Sequence, residues 1–451
     1  MRGLAWVPVL AFLAACGGGG GAGAPDVPAP ADAADVPATP DVADPGTDAA
    51  VVPGDTPAEA APDLPGDPGA TDPGIEVGPN AGCVGDVCAA GPDHVPDPAA
   101  WGPFPVGVRT ITFVDKDRTN PDGSPRTLRT EIWYPTTEEY RDKPKFAYDM
   151  KLDAPPDVVA KLQGVDVGVF PVDAVLDAPV RSGDGRFPLI AFSHGAYGIR
   201  FQSVFLTVRL ASHGYIVFSP DHEGNTLYDM LLKGYDASTL PDSALRRPGD
   251  VEFLIDRFAA KDSDPADPFY HAVDADRIGV AGHSFGGYTC YVVADEDKRV
   301  KAILPLAPAA SAVGFVGIIL EDWAFPTLMM GGELDNTLDF VQYMKDPWDS
   351  MKPPKWFLDI KRGGHYTFTD ICKLNLQDLV KKLGWVDAGD ALEDGCAPTN
   401  WDAEKAHDAV NVYSIAFLNA FVRDSPGSID YLDADTGKPF GAEVEFTAVP
   451  K

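Results

Sequence analysis

Two hydrophobic periods alternate along most of this chain. Continuous apolar runs such as "FPLIAFS" (187–193), "YIVFSP" (215–220), "RIGVAG" (277–282), "VKAILPL" (300–306), "PTLMMGG" (326–332) and "KWFLDI" (355–360) show no polar alternation. Between them lie "FQSVFLTVRLASHG", "RRPGDVEFLIDRFAA", "GGYTCYVVADE" and "DAVNVYSIAFLNAFVRD", with apolar residues three and four apart. The first pattern fits strands covered on both faces, the second amphipathic helices. Their alternation predicts an α/β fold, a mostly parallel central sheet with helices on both faces, as one domain over 97–451. At its start, "VGVRTITFVD" and "RTLRTEIWYP", joined by the turn-rich "KDRTNPDGSP", predict an antiparallel hairpin. Residues 140–185 have no clear period and are expected to form connections and rim or lid elements.

The N-terminus reads differently. "MRGLAWVPVLAFLAAC" offers one cation, a short apolar run and small residues before Cys16. Residues 1–16 are therefore expected to be a secretory signal, too short for a permanent membrane span. "LAAC" resembles the lipobox of bacterial lipoproteins, which implies lipidation of Cys16; an ordinary signal with an incidental cysteine is the alternative. The resemblance also implies export to a bacterial cell envelope. With no acidic residue directly after Cys16, it leans towards the outer membrane or the exterior. Residues 17–96 are rich in Pro, Ala and Asp, with twelve acidic residues and no Lys or Arg over 25–80. So little apolar surface cannot offset chain entropy, and an extended disordered linker is expected.

Net charge across 451 residues is −32, and residues 81–451 still hold 56 acidic against 35 basic side chains. Such a body repels phosphate backbones and anionic lipid, which argues against nucleic acid as a partner. Membrane contact is expected only through the lipid. Of six cysteines, Cys83 and Cys88 lie close together and Cys372 and Cys396 flank one polar excursion, so an exported chain would pair them as two disulfides. Cys290 is left as a buried hydrophobe. No histidine pair stands near these cysteines at zinc spacing, so no metal is assigned.

Chemistry collects beyond the carboxyl ends of the strands, where parallel sheets gather ligands. "RIGVAG" leads into "HSFGG", "FPLIAF" into "SHGAYG", "PTLMMGG" into "ELDNT" and "KWFLDIK" into "RGGHYTF". Gly282-His283-Ser284-Phe285-Gly286 has the G-x-S-x-G form of a nucleophile elbow between strand and helix. A serine hydroxyl is a weak nucleophile and needs a base with an acid to orient it. His365, in a Gly-Gly-His turn after a strand, is the expected base. Asp335 is the expected acid, with Glu333 and Asp339 as competitors. Backbone N–H groups of Phe285 and Ala196 are the expected oxyanion donors. The other histidines are read as bystanders: His407 solvated on a charged helix, His213 and His271 in turns, His283 and His194 packing locally.

"FSHGAYGIR", "LASHGYIVFSPDHE", "GHSFGG" and "GPFPVGVRTITF" resemble the platelet-activating-factor acetylhydrolases. "PTLMMGGELD", "GGHYTF" and "VNVYSIAFLNAFV" resemble the cutinase-like polyester hydrolases, which include PET-degrading enzymes. Both resemblances imply the α/β-hydrolase fold and a serine esterase with no cofactor. In the plasma-type acetylhydrolases the acid follows the strand after the elbow helix; here "AILPLAPAA" offers none, so the polyester-hydrolase position, Asp335, is implied. Those polyester hydrolases carry Trp after Pro where this chain has Pro308-Ala309, and an aromatic where it has Ala196. Trp323 and Tyr197 are the candidates to replace those walls. The resulting expectation is an esterase of short-chain acyl esters. The alternatives are a polyester hydrolase and, outside enzymes, an idle surface-anchored binding protein on the same fold.

Overall fold

The computed structural model describes residues 83–84, 87–151, 154–182, 185–374 and 393–451. The expected signal 1–16, Cys16 and most of the linker 17–96 lie outside the described residues. A ten-stranded sheet runs through the body. In chain order its strands are β1 (Val106–Thr119), β2 (Pro125–Pro135), β3 (Val175–Leu176), β4 (Phe187–Ser193), β5 (Ile216–Pro220), β6 (Val273–His283), β7 (Val300–Leu306), β8 (Thr327–Gly332), β9 (Lys355–Ile360) and β10 (Val444–Val449). Their spatial order is β10-β9-β8-β7-β6-β4-β5-β2-β1-β3. The six strands from β9 to β5 are mutually parallel. Antiparallel pairings attach β10 to β9 on one side and the β1–β2 hairpin to β5 on the other.

Burial follows the apolar runs. All seven residues of β4, all five of β5 and all six of β8 and of β9 are buried. The main helices are α1 (Val204–Ser212), α2 (Leu240–Asp262), α3 (Phe285–Glu296) and α4 (Ala403–Phe421). Helix α2 starts six residues before the apolar periodicity suggests and continues through Pro248. Residues 140–180 form a short helix, Pro156–Lys161, and a small hairpin, Ala147–Asp149 with Val169–Pro171. Strand β10 lies beyond the closing helix and left almost no signal, because only Phe446 of its six residues is buried.

Packing begins earlier than residue 97. Ala89 and Ala90 are buried, Arg423 Nε donates to the Ala90 carbonyl at 2.9 Å, and Ser425 Oγ donates to that of His94 at 3.1 Å. Small residues without periodicity gave no sign of this strap. Cys83 stands opposite Cys88 in a two-stranded ladder, and Cys88 is disulfide-bonded. Cys372 and Cys396 form a disulfide, while Cys290 is a free buried thiol. His407 is not solvated: it stacks on Phe205 with centroids 3.6 Å apart and hydrogen-bonds the Thr369 carbonyl. Its helix turns Ala406, Ala409 and Val410 inward, and the imidazole shares that face.

Candidate active site

Ser284 sits between β6 and α3 with φ 56° and ψ −115°, a backbone conformation that L-residues avoid. The bend brings its neighbours against other backbone. A Cβ on Gly286 would lie 1.8 Å from the Ser193 carbonyl oxygen, and one on Gly282 would lie 2.4 Å from that of Gly286. Only glycine fits either place. Phe285 is the first residue of α3, where N–H groups point out of the helix end. Helix dipole and serine hydroxyl thus meet at one point.

The strand ends next door supply the rest. Asp335 follows β8; its Oδ1 accepts the Thr337 and Leu338 N–H groups at 2.9 and 2.7 Å, which fixes the carboxylate. Its Oδ2 is 2.7 Å from His365 Nδ1, beyond β9. Both side chains are buried. Burial opposes charge on the imidazole, but the facing Asp335 carboxylate, with the Asp394 charge, outweighs it and raises the His365 pKa. Burial also pushes the Asp335 carboxyl up, against the pull of His365. The competing acids lie elsewhere in the hydrogen-bonding scheme: Glu333 pairs with Lys361 at 2.9 Å, and Asp339 accepts the Gln342 N–H.

Two groups that the sequence did not single out hold this arrangement. Asp394, two residues before Cys396 in the disulfide-closed loop, accepts the His365 N–H at 3.1 Å through Oδ1. Through Oδ2 it takes the N–H groups of Asn336 and Thr337, each at 2.9 Å. Gln202 takes the Gly195 N–H on its oxygen and approaches His283 Nδ1 at 3.1 Å through its nitrogen. The amide nitrogen is a donor only, so His283 carries its proton on Nε2 and donates it to the His365 carbonyl at 2.9 Å. His283 and His194 are local packers as expected. They tie the turn holding Ala196 to the turn holding His365.

Elsewhere in the core a Ser-His-Asp string is linked end to end by hydrogen bonds. Ser193 Oγ is 2.9 Å from His222 Nε2, and His222 Nδ1 is 2.8 Å from Asp250, which Arg126 clamps with two nitrogens. The three side chains are fully buried. Burial drives His222 down to about 4. No substrate reaches this string, and it serves as a cross-brace between β4, the β5 turn and α2. Composition alone does not distinguish this string from Ser284, His365 and Asp335; Ser284 is partly exposed, whereas Ser193 is buried.

The sheet order, the elbow and the order Ser, acid, His along the chain define an α/β-hydrolase fold. A PET hydrolase-like family model matches residues 176–387, and one for platelet-activating factor acetylhydrolase, isoform II, matches residues 90–230. Among curated relatives, the platelet-activating factor acetylhydrolase of Bos taurus is 27% identical, over 43% of this chain and 47% of its own. Cutinase est2 of Thermobifida alba is also 27% identical, over 41% of this chain and 54% of its own. The chain thus spans about half the length of the curated relatives it matches. Among solved structures, a ferulic acid esterase from Streptomyces cinnamoneus is 25% identical with a TM-score of 0.56, covering 80% of this chain and 98% of that one. Ser284, Asp335 and His365 all fall in the PET hydrolase-like stretch, whereas Ala196 falls in both.

Proposed function

We propose that this chain is a serine-dependent carboxylic ester hydrolase. Ser284 attacks the ester carbonyl while His365 Nε2 takes its proton, and Asp335 holds Nδ1 and stabilises the imidazolium. The N–H groups of Ala196 and Phe285 receive the oxyanion. His365 then protonates the leaving alcohol and activates the water that releases the acyl group. The observation that carries this reading is the 2.7 Å Asp335–His365 bond beside a serine with φ 56°.

Short, flexible acyl groups are the favoured substrates. Ala196 and Ala309 are small, and the aromatic residues that could replace the missing walls are committed elsewhere. The Tyr197 hydroxyl is 2.9 Å from both the Asp236 carbonyl and Thr239 Oγ1, and the Trp323 indole donates to Thr327 Oγ1 at 3.0 Å. Polyester cleavage is the second reading, supported by the PET hydrolase-like match over all three triad residues. Turnover of p-nitrophenyl esters from acetyl to palmitoyl, beside Ser284→Ala, tests the first. Equal turnover by both proteins would sink the hydrolase reading and leave the binding-protein alternative. Soluble products from a polyester film, without preference for acetyl or butyryl esters, would favour the second.

Export with lipid attachment at Cys16 is part of the proposal. The Cys372–Cys396 disulfide supports an oxidising destination. Incorporation of labelled fatty acid into wild type and equally into Cys16→Ser would refute the anchor.

A further inference from the structure

Arg247 is a fully buried cation on α2. Among the described residues no carboxylate lies within ion-pair distance of it. Asp250, three residues on, is engaged by Arg126 and His222. Burying a charge without a counter-ion is costly, so what the guanidinium touches matters. Nη1 donates to the His194 carbonyl at 2.5 Å, and Nη2 donates to the Gly195 carbonyl at 2.9 Å and to Asn225 Oδ1 at 2.5 Å. The guanidinium carbon lies 4.5 Å from the centroid of the Phe285 ring. Nε has no acceptor among the described residues. One cation therefore holds the carbonyl of the Gly195–Ala196 peptide and packs on the Phe285 ring.

The Gly195 carbonyl belongs to the same peptide unit as the Ala196 N–H. A trans peptide is planar, so fixing that oxygen fixes the direction of the N–H on the opposite side. The same oxygen also receives the Gly198 N–H at 3.0 Å and lies 2.8 Å from His194 Nδ1. His194 Nε2 accepts the His222 N–H, so its own proton sits on Nδ1 and is donated to Gly195. Three donors converge on one carbonyl. Each withdraws electron density from the amide, and in a dry interior such polarisation is cooperative. The Ala196 N–H has no acceptor among the described residues, so its donor capacity is left for a ligand.

We propose that Arg247 is a positioning residue that aims and polarises the Ala196 N–H for the oxyanion, a role that rests on Ser284 acting as the nucleophile. Burial pulls the guanidinium down to about 9, so it remains charged at neutral pH. The bracing matters most when negative charge develops on the substrate oxygen and little in the ground state. Its loss should therefore appear in kcat and leave KM nearly unchanged.

The test compares p-nitrophenyl acetate with its thionoester, in which sulfur replaces the carbonyl oxygen and fits an oxyanion hole poorly. Wild type should prefer the oxoester. Arg247→Gln should lower kcat on the oxoester about 10- to 100-fold, somewhat less than deletion of a whole donor. KM should stay within about twofold, and the oxoester-to-thionoester ratio should collapse. Arg247→Lys, which keeps the charge without the fork, should recover part of that ratio. A lowered kcat with an unchanged ratio would show a merely structural role and overturn the proposal, as would full activity. Should the Arg247 variants fail to fold, Asn225→Ala, which frees one arm of the fork, decides by the same ratio. Ser284→Ala measured alongside separates the two failures: if it matches wild type, the hydrolase reading falls, and if it is inactive while the ratio holds, only the role of Arg247 falls.

Discussion

Asp394 and His365 are joined through the main chain, the Asp394 carboxylate accepting the His365 N–H at 3.1 Å. Its other oxygen holds the loop directly after Asp335. A single side chain thus sets the spacing of proposed acid and base without touching either side chain. Asp394→Ala should lower kcat on p-nitrophenyl acetate by up to about 100-fold, the scale expected for displacements near 1 Å. Steady-state kinetics beside a melting curve give the check. Unchanged kcat at unchanged melting would remove Asp394 from the design.

The proposed nucleophile Ser284 and the buried Ser193 string give a sharp contrast. Ser284→Ala should abolish turnover with stability kept or improved. Ser193→Ala should retain turnover and lose about 1–3 kcal/mol, because the buried His222 Nε2 is left without its partner. Asp250→Ala should be worse, by about 3–5 kcal/mol, because it strands the buried Arg126. Urea unfolding and ester turnover on the three variants report both quantities.

The activity profile follows from His365. As proposed base it must be neutral, and its pKa lies above 6.5 because Asp335 favours the imidazolium. The acid limb of kcat/KM should therefore have its midpoint above pH 6.5. Asp335→Asn should lower kcat by about 10⁴-fold, as expected when the base loses its orienting carboxylate. A limb centred below pH 6 in wild type would contradict the pairing.

Stability should depend on acid in the opposite sense. Burial holds His194 and His283 well below the ordinary value, His213 at about 3, and His222 and His407 at about 4. In the unfolded chain these groups take up protons near pH 6.5, before the folded protein can. Stability is thus fully present above pH 6.5 and falls as pH drops from there towards 4, by up to about 1.4 kcal/mol per pH unit for each group. Tyr215 and Tyr291 face no such window at acid pH, because they titrate on the alkaline side. Urea midpoints at pH 7.5, 6.0 and 5.0 should fall steadily; a flat series would mean that these histidines are reached by solvent.

Much of this was legible in the chain. Uninterrupted apolar runs marked the parallel strands because a strand covered on both faces cannot afford polar alternation. The residues proposed for the triad were read from what stood after each run. Three kinds of feature escaped. Strand β10 is an edge strand with one buried side chain, so its composition resembles a tail. His407 lies among charges in sequence and among apolar residues in space, so its neighbours along the chain pointed to solvent. Asp394 and Gln202 hold main-chain N–H groups and Arg247 main-chain carbonyls, and a side chain that holds backbone leaves no local motif.

The twisted backbone at Ser284 also bears on how the protein responds to selection for heat resistance. A non-glycine residue at φ 56° carries a penalty of about 1–2 kcal/mol, which glycine would not. Ser284→Gly should consequently melt above both wild type and Ser284→Ala while hydrolysing nothing. A laboratory screen scored on melting alone would be drawn to that position and would reward an inert scaffold. Thermal improvement of this fold has to be sought away from the elbow, and every gain weighed against retained turnover.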